Sequence, residues 1–346
     1  MTWLFYRNGF MGGLTLQYVL RRFGIFLMTV WLASSVIFII PRLAPGDPIQ
    51  SMISRMSESA GYVENSEKIV EGFRERFGLN DPIYVQYGRY LSGLVTLDLG
   101  VSLAMFPTTV KEIVGRALPW SIGLMSISLV LYFFIGNLFG ALLSWKKTPL
   151  YAKIAISASM IFTSIPGILC ALILIYVFAF NFDIFPFTGS YERGMQPEWS
   201  IEFFSSVIYY GTLPALSVVL VTFGFWTIGM RGMMVTVEGE DYMTFGQAKG
   251  LKPFYLLYRY QVRNAILPQI TALAFTIGTI VAGQILVEAA FAYRGMGSVI
   301  VNAIKDVDYT VIQGTSFILI LITATSVLIL DLIYPLIDPR ITFQKN

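Results

Sequence analysis

The residue types that perform acid–base, nucleophilic or metal chemistry are scarce in this sequence. It contains no histidine, which removes the commonest general base, metal ligand and physiological pH switch. Its single cysteine, Cys170, lies in an apolar run, so neither a disulfide framework nor a cysteine metal site is predicted. The phosphate-binding pattern G-x-x-x-x-G-K-[ST] is absent from the sequence. We therefore predict no catalytic residue, no metal site and no cofactor bound by this chain.

Polar side chains inside apolar stretches are the next candidates, because an amide in lipid is costly unless it faces protein or water. The candidates for lining a polar pathway are Gln269, Thr276, Thr279 and Gln284, with Asn137 in an earlier stretch. For each, the alternative is a hydrogen bond between helices. Asp331, at the end of the last apolar stretch, is predicted to pair with a basic residue at the membrane surface.

One polar segment carries a clear helix signature. Acids at 240 and 241 suit a positive helix N-terminus, Lys249 suits the negative C-terminus, and Gly250 is placed for a left-handed cap. This predicts a helix of about ten residues over 240–249, too short to be stable alone in water.

Tyr242, Phe245 and Lys249 share one face of this predicted helix, and Gly246 beside them allows close approach of another backbone. The pattern fits a peg for a groove on a partner protein. It also fits an amphipathic helix lying on lipid headgroups, and the pattern alone leaves both open.

The composition indicates that membrane-spanning helices position these residues. Of 346 residues, 55% are hydrophobic and 13% are charged, far from the balance of soluble proteins. The net charge of +3 gives no case for nucleic-acid binding. Six stretches without charge are each about long enough to cross a bilayer. They are residues 23–41, 118–144, 154–182, 203–230, 264–287 and 309–330. Pro166 and Gly167 predict a kink in the third.

Charge sets the expected orientation. With the N-terminus inside, the cytoplasmic pieces hold 13 Lys and Arg residues and the two short outer loops hold 3. By the positive-inside rule both termini are cytoplasmic. We predict an all-α integral membrane protein with six transmembrane helices. The expected parts are a cytoplasmic segment 1–22, helix 1 at 23–43, an external loop 44–117, a core domain 118–340 with a cytoplasmic loop 231–263, and a tail 341–346.

The long external loop is expected to contain a soluble-type helix. Ser66 is its predicted N-cap, an apolar face runs to Phe77, and Gly78 is predicted to close it.

Several stretches resemble one protein family. The segment 241–251 followed by RNAILP at 263–268 resembles the EAA loop of ABC importer permeases, in its oligopeptide/dipeptide (Opp/Dpp-like) form. Further stretches resemble the same family in the same order. They are LAPGDP at 43–48, FGLNDP at 77–82 with QY at 86–87, DLG at 98–100, VE at 287–288 with GMG at 295–297, DY at 308–309 with QG at 313–314, and DPR at 338–340. The sequence departs from the EAA pattern at 244–246, where Phe245 is bulkier than the expected alanine.

This resemblance implies a type I importer permease fold and a role for the helix at 240–249 in docking an ATPase. The residues expected to couple are Glu240, Asp241, Tyr242, Phe245, Gly246, Ala248, Lys249, Gly250 and Leu251. The implied partners are two ATPase subunits that carry ATP and Mg, a second homologous permease in a heterodimer, an extracytoplasmic substrate-binding protein and membrane lipid. The implied location is the prokaryotic plasma (inner) membrane.

The implied cargo is oligopeptide, and oligosaccharide or another small solute carried by the same machinery is the alternative. A secondary transporter is a remote alternative, because it would normally show an internal repeat and membrane-embedded acids for ion coupling. An intramembrane enzyme is disfavoured by the absence of histidine.

Overall fold

The computed structural model describes residues 16–43, 47, 49–51, 54, 71–75, 77–279 and 285–337. The regular structure in these ranges is helical, and an isolated bridge pairs Val101 with Thr109. The α-helices are α1 Leu16–Leu43, α2 Ile83–Thr96, α3 Val110–Ser144, α4 Leu150–Ser159, α5 Gly167–Leu174, α6 Ile201–Glu238, α7 Asp241–Ala248, α8 Pro253–Tyr255, α9 Arg263–Thr279, α10 Ile285–Ala290, α11 Met296–Lys305 and α12 Tyr309–Ile337. A 3₁₀ helix spans Met160–Ser164, and π-helices span Ile175–Asn181 and Leu256–Val262.

Four helices among the described residues are long and apolar enough to cross a membrane. They are α1, α3, α6 and the part of α12 from Tyr309 to Ile333. They correspond to the first, second, fourth and sixth predicted spans, which are confirmed as apolar helices. For the fifth predicted span, the structure describes α9 and α10, and residues 280–284 between them lie outside the described part.

The third predicted span is broken. Leu150–Ser164 and Gly167–Asn181 are helical arms that meet at an angle of 111°. Ile165 is extended and Pro166 precedes the second arm, because proline cannot donate a backbone hydrogen bond and restricts the residue before it. The predicted kink at Pro166 and Gly167 is confirmed, and the bend exceeds a right angle.

The helices run beyond the uncharged stretches that located them. Helix α1 already begins at Leu16 and includes Arg21 and Arg22, and α6 continues through Arg231 to Glu238. A helix needs backbone hydrogen bonds rather than lipid, so it does not have to end where charge begins. Much of the segment 231–263 is consequently helical.

The chain divides into two compact units, with Met1–Pro119 and Ser298–Asn346 in one and Trp120–Gly297 in the other. In the first unit α1 packs along α12. Arg22 Nη1 lies 3.0 Å from Asp331 Oδ2, and the Tyr18 hydroxyl donates to the Asp331 carbonyl at 2.9 Å. The predicted pairing of Asp331 with a basic residue is confirmed.

Helix α2 packs on the other end of α1 within the same unit. The hydroxyls of Tyr87 and Ser35 are 2.7 Å apart, and the Tyr90 hydroxyl donates to the Ser34 carbonyl at 3.2 Å. Residues 71–75 are helical and Gly78 has φ +62°, which confirms that Gly78 closes the loop helix. The predicted N-cap Ser66 lies outside the described residues.

Asp308 joins the loop that follows α2 to the start of α12. Its carboxylate accepts hydrogen bonds from the Ser102 hydroxyl at 2.5 Å, the Ala104 amide at 2.9 Å and the Val311 amide at 3.1 Å. One buried carboxylate therefore caps a helix and holds the loop against it.

In the second unit, α3 and α6 cross at two glycines four residues apart. A Cβ at Gly136 would lie 2.5 Å from the Trp226 Cβ, and one at Gly140 would lie 2.5 Å from the Thr227 carbonyl oxygen. Small residues at this spacing let two helix backbones approach closely. Trp226, only 1% exposed, fills the core beside this crossing.

Candidate functional site

The predicted peg forms a helix, α7, with a defined end. Gly250 has φ +70°, the left-handed region that glycine enters at no steric cost. The amide of Lys249 donates to the Phe245 carbonyl at 3.0 Å, that of Gly250 to Gln247 at 2.9 Å and that of Leu251 to Gly246 at 3.2 Å. These bonds satisfy the last carbonyls of the helix, so the predicted glycine cap is confirmed.

The inner face of α7 rests on the same chain. Met243 is 3% exposed and Gly246 is buried. A Cβ at Gly246 would lie 2.5 Å from the Leu256 Cδ2 and 3.6 Å from the Leu251 Cδ1. Gly246 is predicted to allow close approach of another backbone, and the group that lies against it is the Leu256 side chain of the same chain. The close approach of Gly246 is to the chain's own π-helix, because Gly246 follows Met243 by three residues on the buried face.

The outer face of α7 is left open. Phe245 is 69% exposed, and Tyr242 and Lys249 are exposed on the same face. Partial desolvation and the nearby Glu240 carboxylate raise the pKa of Tyr242. The other predicted coupling residues that are exposed are Glu240, Asp241, Ala248 and Gly250, while Leu251 is partly buried.

The support beneath α7 is tied to α6. Gln261, 6% exposed on the π-helix Leu256–Val262, donates its Nε2 hydrogen to the Met234 carbonyl at 2.9 Å. Lys146 Nζ lies 2.6 Å from Glu238 Oε1 at the end of α6. Sequence reasoning missed Gln261, although an amide beside Arg259 in a largely aromatic and aliphatic run was the available signal.

The predicted pathway residues divide into described and undescribed ones. Gln269 is buried, and its amide would lie 3.0 Å from a Cβ placed on Gly229 of α6. The Thr276 hydroxyl donates to the Ala272 carbonyl of its own helix at 3.0 Å. The side chain of Thr279 and the whole of Gln284 lie outside the described residues. Both described members therefore make contacts that any packed helix could use, and their pathway role stays a prediction.

Asn137 behaves similarly, since its Nδ2 donates to the Phe133 carbonyl one turn earlier at 2.7 Å.

The sequence matches known families and proteins. The family described as "Binding-protein-dependent transport system inner membrane component" matches residues 136–343. The dipeptide transport system permease protein DppB of Bacillus subtilis is 29% identical over 330 residues, covering 95% of this chain and 99% of that protein. The oligopeptide transport system permease protein AppB of the same organism is 34% identical, covering 88% of this chain and 93% of that protein. A probable peptide ABC transporter permease of Sinorhizobium fredii is 31% identical, covering 94% and 99%.

Proposed function

Since the chain belongs to the family of binding-protein-dependent transport system inner membrane components, the permeases of ABC importers, we propose that it forms half of a translocation pathway for oligopeptides. Its apolar helices and its family place it in the inner membrane. The peptide substrate is supported by the names of relatives that align with nearly its whole length. The pathway residues proposed for it are Gln269, Thr276, Thr279 and Gln284.

The energy for such an importer comes from ATP hydrolysis by a separate ATPase, and α7 is the element proposed to dock it. The observation that carries this proposal is Phe245, a large aromatic side chain that is 69% exposed. It lies on a helix that is closed by the Gly250 cap and packed against the π-helix on its inner face. Burying a phenylalanine in a partner groove contributes about 1.5–3 kcal/mol. The helix is already ordered by Met243 and Gly246, so docking loses little conformational entropy.

The proposed assembly has two permeases, two ATPase subunits that hold ATP and Mg, and an external binding protein that delivers the cargo. Closure of the ATPase pair would move α7, and the π-helix Leu256–Val262 would pass that motion to α6 through Gln261 and directly into α9. The permease would then alternate between states open to either side. The purified chain alone is expected to hydrolyse no ATP.

The proposed topology has six spans, with both termini and α7 in the cytoplasm and the loop 44–117 outside. It is supported by the excess of basic residues in the proposed inner segments. Cysteines introduced at Ser66 and Gln196 should react with an impermeant reagent in intact cells, and those at Lys147 and Lys252 should not. Labelling at Lys252 in intact cells would overturn this orientation.

The docking proposal is tested by Phe245→Asp. A carboxylate on the docking face would be desolvated without a partner, so we expect the ATPase to be lost on purification while permease abundance stays normal. Tyr258→Asp is the matched control, because Tyr258 is 66% exposed on the neighbouring π-helix and outside α7.

If α7 instead lies on lipid headgroups, Phe245→Asp should leave ATPase retention intact. Full retention together with full peptide uptake in this variant would defeat the docking assignment.

A further inference from the structure

A cavity of about 480 Å³ lies within the unit formed by the external loop, the end of α1 and the start of α12. Its volume is in the range of small-molecule binding sites. The coupling of α7 to an ATPase makes no use of it.

The walls of this cavity bring together stretches that are far apart in the sequence. Gly78, Gln86, Leu99 and Gln313 each line it. Each belongs to a different one of the stretches that resemble the permease family, at 77–82, 86–87, 98–100 and 313–314. Neither span formation nor coupling explains why these stretches meet at one place.

Most polar groups in the walls are already satisfied. Gln86 donates to the carbonyls of Leu79 and Asp81 at 3.2 and 2.8 Å, and it accepts from Arg42 Nη2 at 3.0 Å. Arg89 Nη2 lies 2.8 Å from Asp81 Oδ2. Both arginines of the cavity are thus held by side chains of the loop, and the walls are formed before any ligand arrives.

Two side chains of the lining differ from the rest. Gln313 is 7% exposed, and its buried Nε2 has no hydrogen-bond partner within the described part of the chain. Glu75 is exposed, and its carboxylate has no hydrogen-bond or ion-pair partner among the described residues. A buried amide without partners is costly, so it points to a ligand that completes it.

We propose that this cavity binds the amino-terminal end of a short peptide, with the free ammonium on Glu75 and the first peptide group on the amide of Gln313. The amide of glutamine donates and accepts, as a peptide group does. Leu79, Leu99 and Leu103 supply an apolar wall for the first side chain. The inference rests on the proposed function and deepens it, because it gives the permease a peptide site of its own.

The test uses the complete importer in phosphatidylglycerol nanodiscs, whose lipids carry no ammonium group, with the binding protein left out. Tri-alanine, its C-terminal amide and N-acetyl-tri-alanine are titrated by calorimetry. Tri-alanine and its amide should bind with similar affinity, and the acetylated peptide should bind at least about tenfold more weakly, a loss equivalent to 1.4 kcal/mol or more.

Glu75→Gln should weaken the binding of tri-alanine by a similar factor. It should also remove the difference in affinity between the free and the acetylated peptide. Glu75 is exposed, so this variant does not threaten folding, and Glu112→Gln is the exposed control outside the cavity and should bind normally. Gln313→Leu should also weaken binding while the melting temperature stays equal or rises, because it removes a buried polar group without partners.

Peptide uptake with the binding protein present is measured in parallel. If uptake is normal but tri-alanine does not bind the permease, or if acetylation makes no difference, the cavity proposal is overturned and the proposed function stands. If no peptide is taken up, the proposed function itself fails. Loss of tri-alanine binding in phosphatidylethanolamine nanodiscs would show that a lipid headgroup occupies the cavity, which also overturns the proposal.

Discussion

The exposed helix α7 and the cavity beside α2 present surfaces of opposite chemical character. Helix α7 turns a large aromatic group, Phe245, outwards, and its terminal carbonyls are satisfied by the Gly250 cap. The cavity keeps its apolar groups inside, and the buried amide nitrogen of Gln313 has no hydrogen-bond partner among the residues that the structure describes. The contrast separates two kinds of recognition. A protein partner binds to exposed apolar area on a rigid support. A small ligand binds to polar groups that have no hydrogen-bond partner before it arrives.

Both regions nevertheless depend on a close approach at one glycine. At Gly246 an added Cβ would lie 2.5 Å from the Leu256 Cδ2, and at Gly314 it would lie 2.6 Å from the Val110 Cγ1. A substitution at either glycine should therefore damage one region and spare the other.

Gly246→Val is expected to have the largest effect. The added side chain would push α7 off Leu256, because overpacking a closed contact costs about 1–3 kcal/mol and displaces the docking face. Retention of the ATPase should fall by more than about tenfold, measured as the subunit ratio after purification. Gly232→Val is the matched control, since nothing lies within 4 Å of a Cβ built there. Normal ATPase retention in Gly246→Val would show that docking on α7 does not depend on the contact between Gly246 and Leu256.

Gly314→Val should disrupt the cavity region and leave α7 intact. It forces Val110 and Leu99 away from α12, so the external loop should loosen and trypsin should cut after Arg89 several-fold faster in right-side-out vesicles. ATPase retention should remain normal. Gly115→Val, at an open position on α3, should cleave like the wild type. An unchanged cleavage rate in Gly314→Val would contradict the loop packing.

Gly250→Val tests the cap of α7 alone. A β-branched residue at φ +70° costs roughly 1–2 kcal/mol, so affinity for the ATPase should fall by about tenfold. Gly250→Asn should lose much less, since asparagine tolerates this conformation. Affinity is measured by titrating the ATPase onto immobilised permease. Equal losses for the two substitutions would point to a role other than backbone geometry.

Gln261→Leu should have the smallest effect on stability, and it separates binding of the ATPase from transmission of its motion. It removes one buried hydrogen bond to the Met234 carbonyl, worth about 0.5–1.5 kcal/mol. The ATPase should stay bound, while peptide uptake per ATP hydrolysed falls a few-fold. Gln261→Met should behave alike, because a thioether cannot donate to a carbonyl. Normal coupling in both variants would remove Gln261 from the path of motion.

Local signals predicted local structure well. The glycine caps at Gly78 and Gly250 and the break at Pro166 follow from backbone preferences of single residues, and all three are present. The apolar helices α1, α3, α6 and α12 follow from composition over about twenty residues. Their ends do not, because α6 keeps its hydrogen bonds past Arg231 to Glu238.

The sites were harder because they depend on which face meets which neighbour. Gly246 and Phe245 are adjacent in sequence, and Gly246 faces inwards because Leu256 and Leu251 lie against it, while Phe245 faces outwards. The cavity could not be predicted, since its walls join residues 75–103 to residues 309–314 through the tertiary fold. The family-like stretches that form it were visible, but their meeting point was not.

The pairing of α1 with α12 has a consequence for the order in which the protein is made. This pairing joins Tyr18 to Asp331, which are 313 residues apart, so α1 is synthesised long before the helix on which it packs. During that time α1 must reside in the bilayer without its partner, and its length and apolar composition suit it to do so. The unit of residues 120–297 can meanwhile fold on contacts made within it. Synthesis that stops before Asp331 therefore leaves Arg22 without this carboxylate, and the first unit closes only after α12 has been made.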